Sequence, residues 1–408
     1  MVKYFVKVGS SISALALVAS SFVGPVAAIN VNVQGNGADS NSTVDLNLAS
    51  NTTVNQTNNA TINNTFNVEV ATGENKAEKN TGGDTTITTG DATANVTANN
   101  KANANQANVD NCVCGQDVNV TVKGNGAKSD NDVTVDLNNT VNIRQDNQAR
   151  INNNINIDAD TGDNKAQKNT GGDVSIDTGN ADATVTVNNT ANLNGAVVAG
   201  KSGTGGVLSV VIDGNGAGSD NNVEVDSTNN TTVNQRNKAD FDNNVNINGE
   251  TGDNTAEDNT GGNSSITTGD ATANVGVNNT ANFNWADVNV CCFDDAESSI
   301  TVKGNGADSD NDVTLDFLTK QKVVQDNNAY FDNGGGKNDG LDLDTGDNKV
   351  KGNTQGGDPS IDTGNAGADV TVNNTANQNA LNGDLLDLPD FPSGDSWAVL
   401  VWLFGHLG

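Results

Sequence analysis

The chain has 408 residues and a formal net charge of −31, and only 4% of its residues are aromatic; it carries 73 Asn and 45 Gly against 20 Lys plus Arg. The three arginines, Arg144, Arg150 and Arg236, form no basic patch that could grip phosphates, which argues against a nucleic-acid partner. So polar a composition would suit disorder, but Val, Ile and Leu alternate with the polar residues in a register kept along the chain, and a disordered chain has no need to keep one.

In chain order, the first element is a leader. Lys3 and Lys7 precede an apolar stretch from Val8 to Val23, and Val26-Ala27-Ala28 supplies the small residues of a cleavage site. Residues 1–28 are expected to be a signal peptide removed after Ala28, which places the protein outside the cell, at its surface. An uncleaved membrane anchor is the alternative, although the stretch is shorter than the roughly 20 residues a spanning helix needs.

Four modules follow. Gly-Asn-Gly begins at Gly35, Gly124, Gly214 and Gly304, and a Gly-Gly pair at Gly82, Gly171, Gly261 and Gly356. The period of about 90 residues marks a repeat array, with copies at 29–116, 117–206, 207–296 and 297–384. Copies one and three share Asn-Thr-Thr-Val-Asn-Gln, whereas copies two and four share Val-Lys-Gly-Asn-Gly-Ala, so the duplicated unit was a pair of modules. Copy four diverges most, with a Gly-rich insertion at Gly334–Gly340 and an extra Gln355, as a capping repeat does.

Within copy two, Val118, Val120 and Val122 alternate. So do Val133, Val135 and Leu137, then Val141 with Ile143, Ile151 with Ile155 and Ile157, Val174 with Ile176, and Val185 with Val187. Period two with β-branched residues predicts half-buried strands, separated by Gly-, Asn- and Asp-rich turns. The expected fold is all-β: a parallel β-solenoid of four repeats, its narrow interior lined by Val, Ile, Ala and Thr with stacked Asn bonding from rung to rung. A string of β-sandwich domains is the alternative, although sandwich cores normally use more bulky aromatics. With rungs of roughly 20 residues stacked about 4.8 Å apart, the array would be a rod on the order of 90 Å long.

Gln-x-Asn-x-Ala recurs at Gln56–Ala60, Gln145–Ala149, Gln235–Ala239 and Gln325–Ala329. This submotif resembles the curlin repeat, in which Gln, Gly, Asn and Ala recur on a β-arch that stacks into surface fibres. It lacks the second Gln and the short period of that repeat. The resemblance implies a stacked-strand surface protein.

The Asp-rich turns are the candidates for chemistry. Asp308, Asp310 and Asp312 stand at alternate positions after Gly-Asn-Gly-Ala, and copy two offers Asp130 and Asp132. Clustered Asp beside Gly can supply the six to eight oxygens that calcium takes, and the stretch resembles the repeats-in-toxin calcium nonapeptide without its nine-residue period. Asx turns whose side chains bond their own backbone are the competing reading, and Asp163, Asp253 and Asp347 in Thr-Gly-Asp-Asn are read as turn residues in the same way. Cys112, Cys114, Cys291 and Cys292 fall in two inter-module segments. Export favours disulfides among them, and because a straight rod would hold the two segments too far apart for mutual bonding, local or intermolecular bonds are expected; a zinc site is the other use of four cysteines.

Residues 385–408 form an acidic connector and an apolar tail containing Trp397, Trp402 and Phe404, expected to cap the last rung or to make a membrane or partner contact. The single histidine, His406, lies in that tail, so no Ser-His-Asp set can form within the repeats and no enzyme is expected. The sequence therefore points to an exported structural protein of the cell surface or matrix, an acidic rod for spacing, coating, adhesion or self-assembly with itself or with cell-envelope components. A calcium- or glycan-binding repeat array is the rival.

Overall fold

The structure, a computed structural model, describes residues 4–14, 29–110, 117–199, 207–288, 299–334, 340–354 and 357–382. The four cysteines and the tail lie outside the described residues. A leading strand, β1 (Tyr4–Ala14), precedes the repeats. Repeat one gives β2 (Ile29–Gln34), β3 (Asn41–Ala71), β4 (Lys76–Glu78), β5 (Thr85–Thr88) and β6 (Ala92–Asp110). Repeat two gives β7 (Val118–Lys123), β8 (Asp130–Asp160), β9 (Lys165–Gln167), β10 (Val174–Asp177) and β11 (Ala181–Ala199), and repeat three β12 (Leu208–Asp213), β13 (Asp220–Glu250), β14 (Thr255–Glu257), β15 (Ser264–Thr267) and β16 (Ala271–Val288). Repeat four gives β17 (Ser299–Lys303), β18 (Asp310–Asp332), β19 (Leu341–Asp344), β20 (Lys349–Lys351), β21 (Ser360–Asp362) and β22 (Ala366–Leu381).

Among the described residues, all five sheets are parallel stacks of equivalent strands from successive repeats: β2-β7-β12-β17, β3-β8-β13-β18, β4-β9-β14-β20, β5-β10-β15-β21 and β6-β11-β16-β22, with β1 added beside β6 and β19 beside β13. The fold is thus an all-β parallel solenoid of repeats. Its rung differs from the expected one: a whole 90-residue module makes a single turn. The rod of many short rungs is replaced by a slab four rungs deep, about 19 Å at roughly 4.8 Å per rung, with one strand of 31 residues running about 100 Å across it. Independent sandwiches are also excluded, because the strands of each module pair with those of neighbouring modules and not with their own.

The long strand explains the difference. Residues 130–160 read as three apolar patches separated by polar interludes, yet the strand never breaks: every odd-numbered residue from Asn131 to Ala159 is buried. Asn139, Gln145, Asn147 and Asn153 occupy inward positions between Leu137, Ile143, Ile151 and Ile155. Side-chain parity, not hydrophobicity, carries the strand through the Asn-rich stretches.

Each rung is two-layered. Val118–Val122 of β7 pack on Val133–Leu137 at the start of β8. From Ile143 to Ala159, β8 meets β11 in reverse order, Val198 and Ala196 first, then Ala191, then Val187 to Ala181. The short β9 and β10 close the far corner around Ala166, Val174 and Ile176. In repeat four the Gly-rich insertion divides the long strand into β18 and β19, both still paired with β13.

Candidate functional site

The chemistry of this fold lies in columns of equivalent residues one rung apart. Two asparagine columns zigzag through the interior between the facing layers. Asn58 donates through Nδ2 to Asn105 Oδ1 at 2.8 Å, Asn105 to Asn147 at 2.9 Å, Asn147 to Asn194 at 2.9 Å and Asn194 to Asn237 at 2.9 Å. The path continues through Asn284 and Asn327 to Asn379, each step 2.8 Å. The second Nδ2 hydrogen is used along the column, as from Asn147 to Asn237 at 3.1 Å and from Asn194 to Asn284 at 3.0 Å. A parallel zigzag joins Asn64, Asn100, Asn153, Asn189, Asn243 and Asn279.

Beside them runs a glutamine column. Gln145 Nε2 donates to Gln56 Oε1 at 2.7 Å, Gln235 to Gln145 at 2.9 Å and Gln325 to Gln235 at 2.8 Å. Gln145 also bonds the Gly195 carbonyl across the layer at 2.8 Å. The Gln-x-Asn-x-Ala motif therefore forms the polar centre of each rung. The sequence reading missed its partner on the opposite layer, Asn-Asn-x-Ala-Asn-x-Asn, at 99–105, 188–194, 278–284 and 373–379. Its signal was recurrence at the module period.

The middle Asn of that partner motif reverses the strand's facing. Asn103, Asn192, Asn282 and Asn377 have φ between 59° and 66°, a left-handed conformation that Asn tolerates better than other side-chain-bearing residues. In β6 the buried residues are even-numbered up to Ala102; beyond the kink Asn105, Ala107 and Val109 are the most deeply buried, with Ala104 and Gln106 less completely covered. Asn103 Nδ2 then reaches the Gln148 carbonyl of the facing strand at 2.6 Å.

The acidic residues sit on the outside, in columns. Asp130, Asp220 and Asp310 form one, and Asp132, Asn222 and Asp312 another, while Asp308 lies in the preceding turn with φ 57°. Burial, then the neighbouring Asp130 and Asp310, raises the Asp220 pKa. Among the described residues, a close carboxylate group forms elsewhere, at the Thr-Gly-Asp-Asn corner: one oxygen each from Asp163, Glu250 and Asp253 falls within 4.8 Å of the others. Partial burial, reinforced by Asp160, Asp253 and Asp163, pushes Glu250 up to about 7. Burial is also the first cause of the raised Asp160 and Asp163.

The corner is built from local bonds. Asp160 Oδ1 accepts from the Gly162 amide at 2.6 Å, and Asn164 Nδ2 donates to the Thr161 carbonyl at 2.8 Å. Asp163 has φ 56° and Asp253 the same. Asp163 and Asp253 are turn residues by their backbone, as expected, but the side-chain-to-backbone bonds shown at this corner come from Asp160 and Asn164, and the three carboxylates that converge there could hold a cation. Elsewhere columns alternate in charge: Lys123 Nζ lies 3.1 Å from Asp213, Arg150 3.9 Å from Asp240 and Arg236 3.8 Å from Asp326, each pair one rung apart.

Compared with known protein families, with curated proteins and with solved structures, the chain finds no match.

Proposed function

We propose that this chain is an exported structural protein of the cell surface or matrix, an acidic slab that spaces, coats, adheres or self-assembles. The observation that carries the reading is the interior: a core that repeats one set of Gln and Asn columns in every rung is suited to extension rather than to a single reaction centre. The curlin-like submotif supports the same reading, since its Gln and Asn are the stacked residues. The net charge keeps such a surface dispersed. Protease shaving of intact producing cells tests it: loss of the protein from unlysed cells is expected, and full protection together with recovery only from the cytoplasm overturns the reading.

A second reading, calcium binding, is favoured by the convergence of Asp163, Glu250 and Asp253, since hard oxygen donors are what that ion takes. Binding to the folded state raises its stability by mass action. Thermal unfolding with calcium and with chelator distinguishes the two, and an identical melting temperature removes calcium from consideration.

A further inference from the structure

Among the described residues the slab has unpaired strand edges at both ends, but the ends differ in cover: Val31, Val33 and Ile87 of the lower rung are buried, whereas the residues in line with them on the upper rung are exposed. Of the described strands, β2 to β5 have neighbours on one side only, as do β17, β18 and β20 to β22 at the other end. The upper rung leaves its inward apolar residues uncovered. Val302 is 46% exposed where Ile212 below it is 0%, Ile361 47% against 0% for Ile266, and Val370 54% against 6% for Val275. Such a row of uncovered apolar side chains beside open backbone groups is a template for further pairing.

We propose that the occupant of this upper edge is the lower rung of a second copy, so that molecules stack head to tail in the register that already joins their own repeats. Three observations select it. Six interior Gln and Asn columns end above in the residue type with which they begin below, Gln325 and Gln56, Asn327 and Asn58, Asn333 and Asn64, Asn374 and Asn100, Asn377 and Asn103, Asn379 and Asn105, whereas the Asn139–Asn229 column begins at Ser50 and ends at Thr319. The lower edge accepts a parallel strand, because β1 pairs with β6 from Ala92 to Ala102, the place that β22 of another copy would take. The third observation is the glycine columns. A Cβ at Gly126, Gly216 or Gly306 would come closer than 3.0 Å to the backbone of the repeat below, whereas at Gly37 it meets nothing within 4 Å. Likewise a Cβ at Gly73, Gly162 or Gly252 would strike the Gly above, while at Gly346 it meets only Asp344 Oδ1 at 3.2 Å.

The rival occupant is the chain's own residues 383–408. Their 26 positions include Pro389 and Pro392, which cannot donate to a ladder, and β18 and β22 alone present 23 and 16 residues of edge. At the seam between copies the register places Lys351 over Glu78 but also Asp342 over Glu69, so added salt should hasten assembly by screening.

This inference deepens the structural reading and is tested separately from it. The full chain, before and after leader removal past Ala28, is followed by sedimentation, electron microscopy and fibre diffraction. After cleavage, filaments with a reflection near 4.8 Å along their axis are expected, forming at least about tenfold more slowly while β1 remains. Gly37→Ala and Gly346→Ala should keep the wild-type melting temperature and lose filaments, whereas Gly126→Ala should lower the melting temperature. Cleaved chain that stays monomeric at all concentrations overturns the proposal, as do glycine variants that assemble like wild type. Assembly released only on deleting residues 383–408 also overturns it, in favour of the tail as occupant. Surface exposure without filaments would leave the structural reading standing, and filaments from a cytoplasmic protein would do the reverse.

Discussion

At the scale of the residue, asparagine does in this interior what leucine does in most. Asn194 is fully buried, accepts from Asn105 and Asn147 and donates to Asn237 and Asn284. Each such bond contributes only about 1 kcal/mol net, but each partner left unsatisfied costs roughly 1–3 kcal/mol. Asn194→Ala is therefore expected to lower stability by about 3 kcal/mol or more, read by chemical denaturation; a loss below 1 kcal/mol would show that the column is not cooperative. Glu250 acts in the other direction. Its folded pKa of about 7 exceeds the ordinary 4.5, so between those values the folded state binds the extra proton and stability falls as pH rises through that window. Melting temperature should climb as pH drops from 8 toward 5, and Glu250→Gln should flatten the climb. An unchanged slope in the variant would assign the effect to other carboxylates.

Among the elements, the long strands and the kinked return strands must agree in facing. The left-handed Asn192 allows β11 to present Ala191 and then Asn194 to the same interior. Asn192→Gly keeps the backbone freedom and loses the bonds to Asn282 Oδ1 and the Lys238 carbonyl. Asn192→Ala loses both and adds about 1–2 kcal/mol of left-handed strain. Thermal melts should rank wild type above Gly and Gly above Ala, and an Ala variant as stable as Gly would mean that the kink relaxes. Strand existence, β-class and the parallel stack were legible from the alternation of Val133, Val135 and Leu137 and its recurrence. The unbroken length of β8 was not, because Asn139 and Asn153 look like turn residues until their parity is counted. The converging corner was half legible: Asp163 and Asp253 were visible as turn residues, but Glu250 joins them only because it stands one rung above Asp160.

For the whole molecule, the module is one rung and has no sheet of its own. A single copy such as 117–206 is expected to be unfolded by circular dichroism, and two joined copies less stable than four, as nearest-neighbour coupling in repeat arrays requires. A folded single module would contradict the pairing. The same geometry revises the cysteine argument. The strands that lead into the two cysteine segments, β6 and β16, are two rungs apart, about 10 Å at roughly 4.8 Å per rung, rather than two many-runged modules apart along a rod.

The distance along the chain between hydrogen-bonded partners, 89 or 90 residues over most of the array, also bears on time. During synthesis, the first ninety residues have no sheet partner until the next ninety emerge, and every later module finds a finished template waiting. Pairing so remote in sequence is slow to nucleate. The first two modules should thus set the pace, with the rest added in the order in which they are made.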